Sequence, residues 1–268
     1  MHSAHRLWLI SSISLLAAGT LQASAWAQSS TKAVPDSFLV GGVASVPEYE
    51  GSADRTAVPL LLGRIEFGDR GSLRIAGTTL RYNVLPSTSR WALGPVLGFR
   101  AASDQDIKNI AVARLRKIDA TAEGGAFVEY ALKDLMHSGD RLSVGLDVRG
   151  GEGVLWTLST GYNLAAIGPW RLGVDASLSG GNTRRMTTYF SVDADNSARS
   201  GLAQYDAGSG LQQMGLGLNV SRAFAGNWLV AARFSGTRLA GNAADSPIVT
   251  RGGRRTSALF GIGIGKSF

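Results

Sequence analysis

The last nine residues of the chain, FGIGIGKSF, place an apolar side chain at almost every second position up to the terminal phenylalanine. In an extended strand, Phe260, Ile262 and Ile264 point to one face, and the glycines between them point to the other. A strand of a soluble sheet with one wet face would carry solvated side chains on that second face. Here the second face is nearly bare, so the apolar face needs an environment other than an ordinary core.

The same alternation recurs along the whole chain and defines about twelve candidate strands. Most have the length of roughly 9 to 12 residues that suits a tilted strand crossing a hydrocarbon layer. The segments are 37–46, 57–67, 72–84, 91–101, 120–132, 141–149, 154–164, 170–179, 183–192, 211–224, 228–239 and 255–268.

The connections between these segments alternate between minimal turns and long polar loops. GDRG, GEG, GGN and AGN are turn sequences, whereas DADNSARSGLAQYDAGSG and AGNAADSPIVTRGG are long. A bilayer also demands that every backbone group be paired without a free sheet edge. The sequence therefore predicts an all-β fold, a closed antiparallel transmembrane β-barrel of about 12 strands; the alternative is a soluble β-sandwich with one wet face.

The N-terminal 27 residues have the features of a cleaved signal peptide. Arg6 precedes an apolar run, and Ala25 and Ala27 form an A-x-A cleavage site. The alternative is an N-terminal membrane helix, but the run is short and serine-rich for a span of about 20 residues. We expect residues 1–27 to be a signal peptide and residues 28–268 to form the barrel in the outer membrane of a Gram-negative cell.

The composition and the absence of known motifs exclude several classes of function. The chain has no cysteine, which excludes disulfides and thiolate metal sites, and its net charge of +7 is scattered, which argues against nucleic-acid binding. No phosphate-binding loop, zinc pattern or nucleophile elbow occurs. The sequence therefore predicts that the protein binds no cofactor and no metal and is not an enzyme. His137, followed by Ser138, is the one histidine outside the signal peptide; a solvated loop residue explains it better than a hydrolase site.

Charged residues interrupt the small-residue face of several predicted strands and would point into the lumen. Both signs occur, so these side chains could pair and close the lumen or could select an ion, and we favour pairing. The candidates are Arg100, Glu123, Glu129, Asp147, Arg149, Arg171, Asp175 and Arg233.

One connection is longer than the short turns expected at its predicted end of the barrel. Counted along the twelve segments, residues 103–117 follow the fourth strand, at the periplasmic end where turns are short. Ser103 or Asp104 could cap a short helix there. We expect either a plug at the barrel mouth or a handle on which a partner docks through the basic residues Arg114, Arg116 and Lys117.

Several short stretches resemble the MipA/OmpV family, whose name comes from MltA-interacting protein. They are PEYEGS at Pro47–Ser52, LGP at Leu93–Pro95, DATAEGG at Asp119–Gly125, ADSPIV at Ala244–Val249 and the terminal Phe268. The resemblance spans essentially the whole chain after the predicted signal peptide, and ADSPIV before the last strand is its most specific part.

This resemblance implies an outer-membrane scaffold that contacts outer-membrane lipid and brings a murein hydrolase together with a murein synthase. It also implies that Phe268 is an assembly signal read by the barrel-assembly machinery. The physical reading offers an alternative, a small-solute or ion pore, because twelve strands lie between small filled barrels of about eight strands and channels of about sixteen.

Overall fold

The computed structural model describes residues 37–102 and 107–268, so the predicted signal peptide and Ser103 and Asp104 lie outside the described residues. Twelve antiparallel strands close into a barrel in which each strand pairs with its sequence neighbours and β1 pairs with β12. The predicted fold class is confirmed. The strands are β1 Phe38–Pro47, β2 Arg55–Glu66, β3 Ser72–Ala76, β4 Thr79–Asn83, β5 Trp91–Arg100, β6 Thr121–Lys133, β7 Arg141–Gly151, β8 Gly153–Asn163, β9 Trp170–Gly181, β10 Gly210–Ala223, β11 Trp228–Leu239 and β12 Thr256–Ser267.

The inward face of strand β12 carries glycines because side chains from neighbouring strands occupy the space beside it. Phe260, Ile262 and Ile264 point outward and are about half exposed. A Cβ at Gly261 would lie 3.0 Å from Cδ2 of Leu60, and one at Gly263 would lie 2.7 Å from Cγ1 of Val40. The glycines therefore leave room for apolar side chains that reach across from β1 and β2.

Two of the twelve predicted strand segments are wrong. One of them is two strands and the other is not a strand, so the total number of strands is still twelve. Residues 72–84 form two strands, β3 and β4, joined by a turn in which Gly77 has a φ of +58°. The phase of alternation reverses at this turn, because inward residues are even-numbered before it and odd-numbered after it. Residues 183–192 are not a strand, since Thr183–Phe190 form a helix.

The helices lie in three of the connections. Helix α1 is Ile110–Ala113, α2 is Thr183–Phe190, α3 is Ala194–Ser200, α4 is Gly241–Asp245 and α5 is Pro247–Thr250. Single 3₁₀ turns occupy Gly68–Arg70 and Ala225–Asn227. Within the described residues, no helix is long and apolar enough to cross a membrane.

The two ends of the barrel differ in the length of their connections. The N–H of Phe268 donates to the carbonyl of Ser37 at 3.0 Å, so both chain ends lie together at what we call the terminal end. The connections at this end are 67–71, 84–90, 134–140, 164–169 and 224–227. The opposite, loop end carries the connections 48–54, 77–78, 101–120, 152, 182–209 and 240–255.

Candidate functional site

The lumen is filled by two kinds of side chain on different strands. An apolar half comes from β1, β2, β11 and β12, and a charged half comes from β3 to β7. Both sets are buried, whereas most of their neighbours along the strands are exposed or partly exposed on the outer surface. We define the apolar half as Phe38, Val40, Ala44, Val46, Val58, Leu60, Leu229, Ala231 and Leu259, and the charged half as Arg74, Arg81, Arg100, Glu123, Glu129, Arg141, Asp147 and Arg149.

Glu123 is the centre of the charged half near the loop end. Its carboxylate lies 3.4 Å from Nε of Arg100 and 3.2 Å from Nη1 of Arg149. A third guanidinium, that of Arg185 on helix α2, donates from Nη1 to Oε1 of Glu123 at 3.2 Å. Three cations from β5, β7 and α2 thus share one carboxylate away from water.

A second carboxylate comes from the β1–β2 connection and balances these cations. Oε1 of Glu50 lies 3.4 Å from Nη1 of Arg100 and 3.8 Å from Nη2 of Arg185. Gln212 ties the two sides together, because its Nε2 donates to Glu50 at 2.8 Å and its Oε1 accepts from Arg185 at 2.9 Å. The group carries one positive charge in excess, with three guanidiniums against two carboxylates.

Further from the loop end, the register sets two arginines side by side. Arg74 and Arg81 are direct cross-strand partners on β3 and β4, an arrangement that is repulsive by itself. Each is neutralised by a different carboxylate: Arg74 donates to Glu129 at 2.8 Å, and Nη2 of Arg81 lies 2.9 Å from Asp147. Strands β6 and β7 supply these carboxylates, so the two arginines of β3 and β4 are neutralised only where the four strands face one another in the closed barrel.

Two links extend these pairs into chains of charges. Arg149 donates to Asp147 at 2.9 Å, which connects the Glu123 group to Arg81. Arg141 donates to Glu129 at 2.9 Å and completes a second group with Arg74. Removal of any one member would therefore affect several neighbours.

A separate ion pair lies across the barrel from these chains. Arg233 on β11 donates through Nη1 and Nη2 to the two carboxylate oxygens of Asp175 on β9, at 2.8 and 2.9 Å. Asn219 on β10, between them, both donates to Asp175 and accepts from Arg233. This is the fork-to-fork geometry that makes arginine–carboxylate pairs strong.

The loop end is closed by a cap, which we define as helices α2, α4 and α5. Its apolar core contains Met186 and Phe190 of α2 together with Val249 of α5, all buried. Asn182 caps α2 by accepting the N–H of Arg185 at 3.1 Å, and buried residues recur at helical spacing along it. The ADSPIV stretch is part of this cap, since the hydroxyl of Ser246 donates to the carbonyl of Phe190 at 2.6 Å.

Seven of the eight predicted lumen charges lie in the groups described above, and the eighth, Arg171, is half-buried on β9 near the terminal end. Sequence reasoning missed Arg74, Arg81, Arg141, Arg185 and Glu50. The phase reversal at Gly77 would have pointed to Arg74 and Arg81. No signal in the local pattern points to Arg185 or Glu50, because neither lies on a strand.

The predicted placement of residues 103–117 after an even-numbered strand is wrong. The described part of the segment, residues 107–117, follows β5 because the β3–β4 hairpin adds one strand before it, and this part lies at the loop end. Its helix, α1, begins at Ile110 and is capped by the side chain of Asn109. Arg114, Arg116 and Lys117 are exposed there, so the predicted docking handle lies at the end opposite the one for which it was predicted.

The remaining singled-out residues lie at the terminal end. Phe268 is exposed beside β1 and β12, and its role as an assembly signal stays a prediction. His137 is exposed in the β6–β7 turn. In the part of the chain that the structure describes, no group of three or more His, Asp or Glu side chains is placed to hold a metal ion.

A closed antiparallel barrel with apolar side chains on its outer surface and charged ones among those in its lumen defines the class of outer-membrane β-barrel proteins. Within that class, the chain belongs to the MipA family: the family model described as MltA-interacting protein MipA matches residues 39–268.

Comparison with curated protein sequences finds no match. Among solved structures, the NanC porin is 8% identical, with coverage of 86% of this chain and 100% of the porin and a TM-score of 0.40. OprD from Pseudomonas aeruginosa is 10% identical, with coverage of 80% and 59% and a TM-score of 0.38. A loop L8 deletion mutant of OmpT from Vibrio cholerae is 8% identical, with coverage of 86% and 98% and a TM-score of 0.38.

Proposed function

We propose that the protein is a closed outer-membrane scaffold that brings a murein hydrolase and a murein synthase together, and that it is neither a pore nor an enzyme. The observation that carries this proposal is the state of the lumen charges. Arg100, Glu123 and Asp147 are each no more than 5% exposed, and each is held in an ion pair.

A diffusion pore needs charged side chains that stay hydrated while a solute passes. Removing paired charges from water is costly, and such pairs persist only where geometry and further hydrogen bonds compensate. The Glu123 group and the Arg233–Asp175 pair meet that condition through several hydrogen bonds each, and apolar side chains pack on the other side of the lumen. A filled lumen supports a role for the outer rims of the barrel.

The partner chemistry comes from the family. The family name describes a protein that interacts with MltA, and the MipA/OmpV resemblance implies a murein hydrolase and a murein synthase as partners. Both chain ends of such barrels lie in the periplasm, where murein is made and cut, so the terminal end is the side that faces these enzymes.

The β6–β7 turn is the part of the terminal end best built to be recognised. Leu135 and Met136 are exposed at its tip, and Met136 is 72% exposed. Asp140 fixes the turn, because its carboxylate accepts the Tyr162 hydroxyl at 2.6 Å and the N–H groups of three turn residues. The hydrogen bond from Tyr162, followed by those from the backbone, lowers the pKa of Asp140 to about 2, so the turn stays fixed at neutral pH. A rigid apolar tip is a suitable anchor for a partner.

The test combines two measurements on one purified sample: recovery of murein enzymes from envelope extract and conductance in planar bilayers. We expect specific recovery of a murein hydrolase and a murein synthase without stepwise conductance. Replacing both Leu135 and Met136 with Asp should abolish recovery. Replacing Arg114, Arg116 and Lys117 with Glu at the loop end should leave it unchanged, which makes that variant the matched control.

Reproducible stepwise conductance would contradict the closed lumen. Loss of recovery in the loop-end variant alone would move the docking surface to the opposite end of the barrel. Recovery of no murein enzyme by the native barrel would overturn the scaffold.

A further inference from the structure

The loop end contains a cavity of about 140 Å³ between the α1 region and helices α2 and α3. Its lining is mixed and includes the apolar residues Val112, Leu115, Ile118 and Ile248. A cavity of roughly 150 Å³ lined by apolar side chains is known to admit a benzene ring. The space therefore suits a ligand whose apolar body is about the size of one ring.

The floor of the cavity is polar and belongs to the charged half of the lumen. Arg100 lines it, and its guanidinium stacks 4.7 Å from the ring centroid of Tyr189, which also lines it. Burial raises the pKa of Tyr189 despite the nearby arginines, so its phenol remains protonated. The hydroxyl has no hydrogen-bond partner among the described residues. A guanidinium and a neutral phenol together favour a ligand that brings an acceptor.

The charges around the cavity select the sign of that ligand. Arg116 and Lys117 are exposed lining residues at the mouth, and Arg100 is the cation in the floor. The two lining carboxylates are already engaged: Glu50 lies 3.4 Å from Arg100 and accepts from Gln212, and Asp193 caps helix α3 by accepting the N–H of Asn196 at 2.7 Å. Arg100 is balanced by Glu50 and Glu123, so the exposed Arg116 and Lys117 against Asp193 leave the cavity with a net positive charge, which attracts anions and repels cations.

We propose that this cavity binds a small organic anion with a ring-sized apolar body, of the class of monocyclic aromatic carboxylates. The ring packs against Val112, Leu115 and Ile248, and the carboxylate faces the exposed cations Arg116 and Lys117. The site is independent of the scaffold role, because it lies at the loop end and its lining residues are not part of the β6–β7 turn.

The experiment is isothermal titration calorimetry on the folded barrel in detergent, with benzoate as the probe and empty micelles as the blank. Benzyl alcohol and benzylammonium, which have the same ring with a neutral or a cationic head, are the comparators. We expect saturable benzoate binding and at least about tenfold weaker binding of both comparators. Absence of saturable benzoate binding, or equal binding of benzylammonium, would overturn the proposal.

Two variants test the location without disturbing the barrel. Ala113 is exposed and lines the cavity, so Ala113→Trp should fill it and abolish benzoate binding. Replacing both Arg116 and Lys117 with Gln should weaken binding about fivefold at low salt, since solvent screens exposed charges and each contributes only modestly. Arg114→Gln is the matched control, because Arg114 is exposed beside them but is not a lining residue.

Heat-modifiable migration confirms that each variant is folded. Unchanged benzoate affinity in folded Ala113→Trp, or an equal loss in Arg114→Gln, would place the binding elsewhere and overturn the assignment of this cavity.

Discussion

The two halves of the lumen exclude water by different physical means. In the apolar half, small and branched side chains interlock with the glycines of β12, as where Leu60 reaches over Gly261. In the charged half, the side chains are long and polar, and each is held by one or more partners of opposite sign. Both halves are buried to a similar degree.

The difference lies in how each half responds to the loss of one member. Apolar contacts are non-directional, so a truncation costs the transferred surface and the cavity it leaves. A buried charge network is stable only when every member is paired, and removing one carboxylate exposes several cations to one another. The charged half should therefore be the more fragile of the two, although its side chains are the more tightly bonded.

The largest expected effect is that of Glu123→Gln. This change leaves Arg100, Arg149 and Arg185 without their shared carboxylate. We expect the free energy of unfolding to fall by about 3–5 kcal/mol, measured by urea titration of the barrel in lipid vesicles. The control is Glu152→Gln, which breaks an exposed pair with Arg184 and should cost less than about 1 kcal/mol. Equal losses in the two variants would show that the Glu123 network does not hold the barrel together.

A smaller effect is expected in the apolar half. Leu60→Ala should lower the free energy of unfolding by about 2–4 kcal/mol, because the site opposite Gly261 cannot collapse around the missing atoms. Leu61→Ala, on the neighbouring outward-facing residue, is the matched control and should cost clearly less. The same urea titration distinguishes them, and a loss at Leu61 as large as at Leu60 would mean that this half is not a packed core.

The smallest effect is expected from a double replacement that exchanges a buried ion pair of the lumen for two apolar side chains. Asp175→Leu alone should be strongly destabilising, since Arg233 would remain buried without its carboxylate. Asp175→Leu together with Arg233→Leu should be within about 1 kcal/mol of the native barrel, as for other buried pairs exchanged for apolar residues. If the double variant were as unstable as the single one, the ion pair itself would stabilise the barrel, beyond the requirement that neither charge be left unpaired.

The outer surface of the barrel could be predicted in detail, but the lumen only in part. The alternation in β12 indicates directly that Phe260, Ile262 and Ile264 face outward, because side-chain direction in a strand depends only on position. The same rule finds Glu123, Glu129 and Asp147 as inward charges. It fails at residues 72–84, where a two-residue turn resembles a continued strand, and at residues 183–190, where a helix carries apolar residues at spacings that overlap a strand pattern.

The sequence by itself determined the class of fold, because alternation is a local property and a lipid-facing sheet has to close on itself. Tertiary structure alone decided which charges meet. Arg185 reaches Glu123 from 62 positions along the chain, and Glu50 meets Gln212 from 162 positions away. Such pairings depend on the curvature of the closed barrel and on how the cap folds over its mouth, and neither is encoded in the period of any single strand.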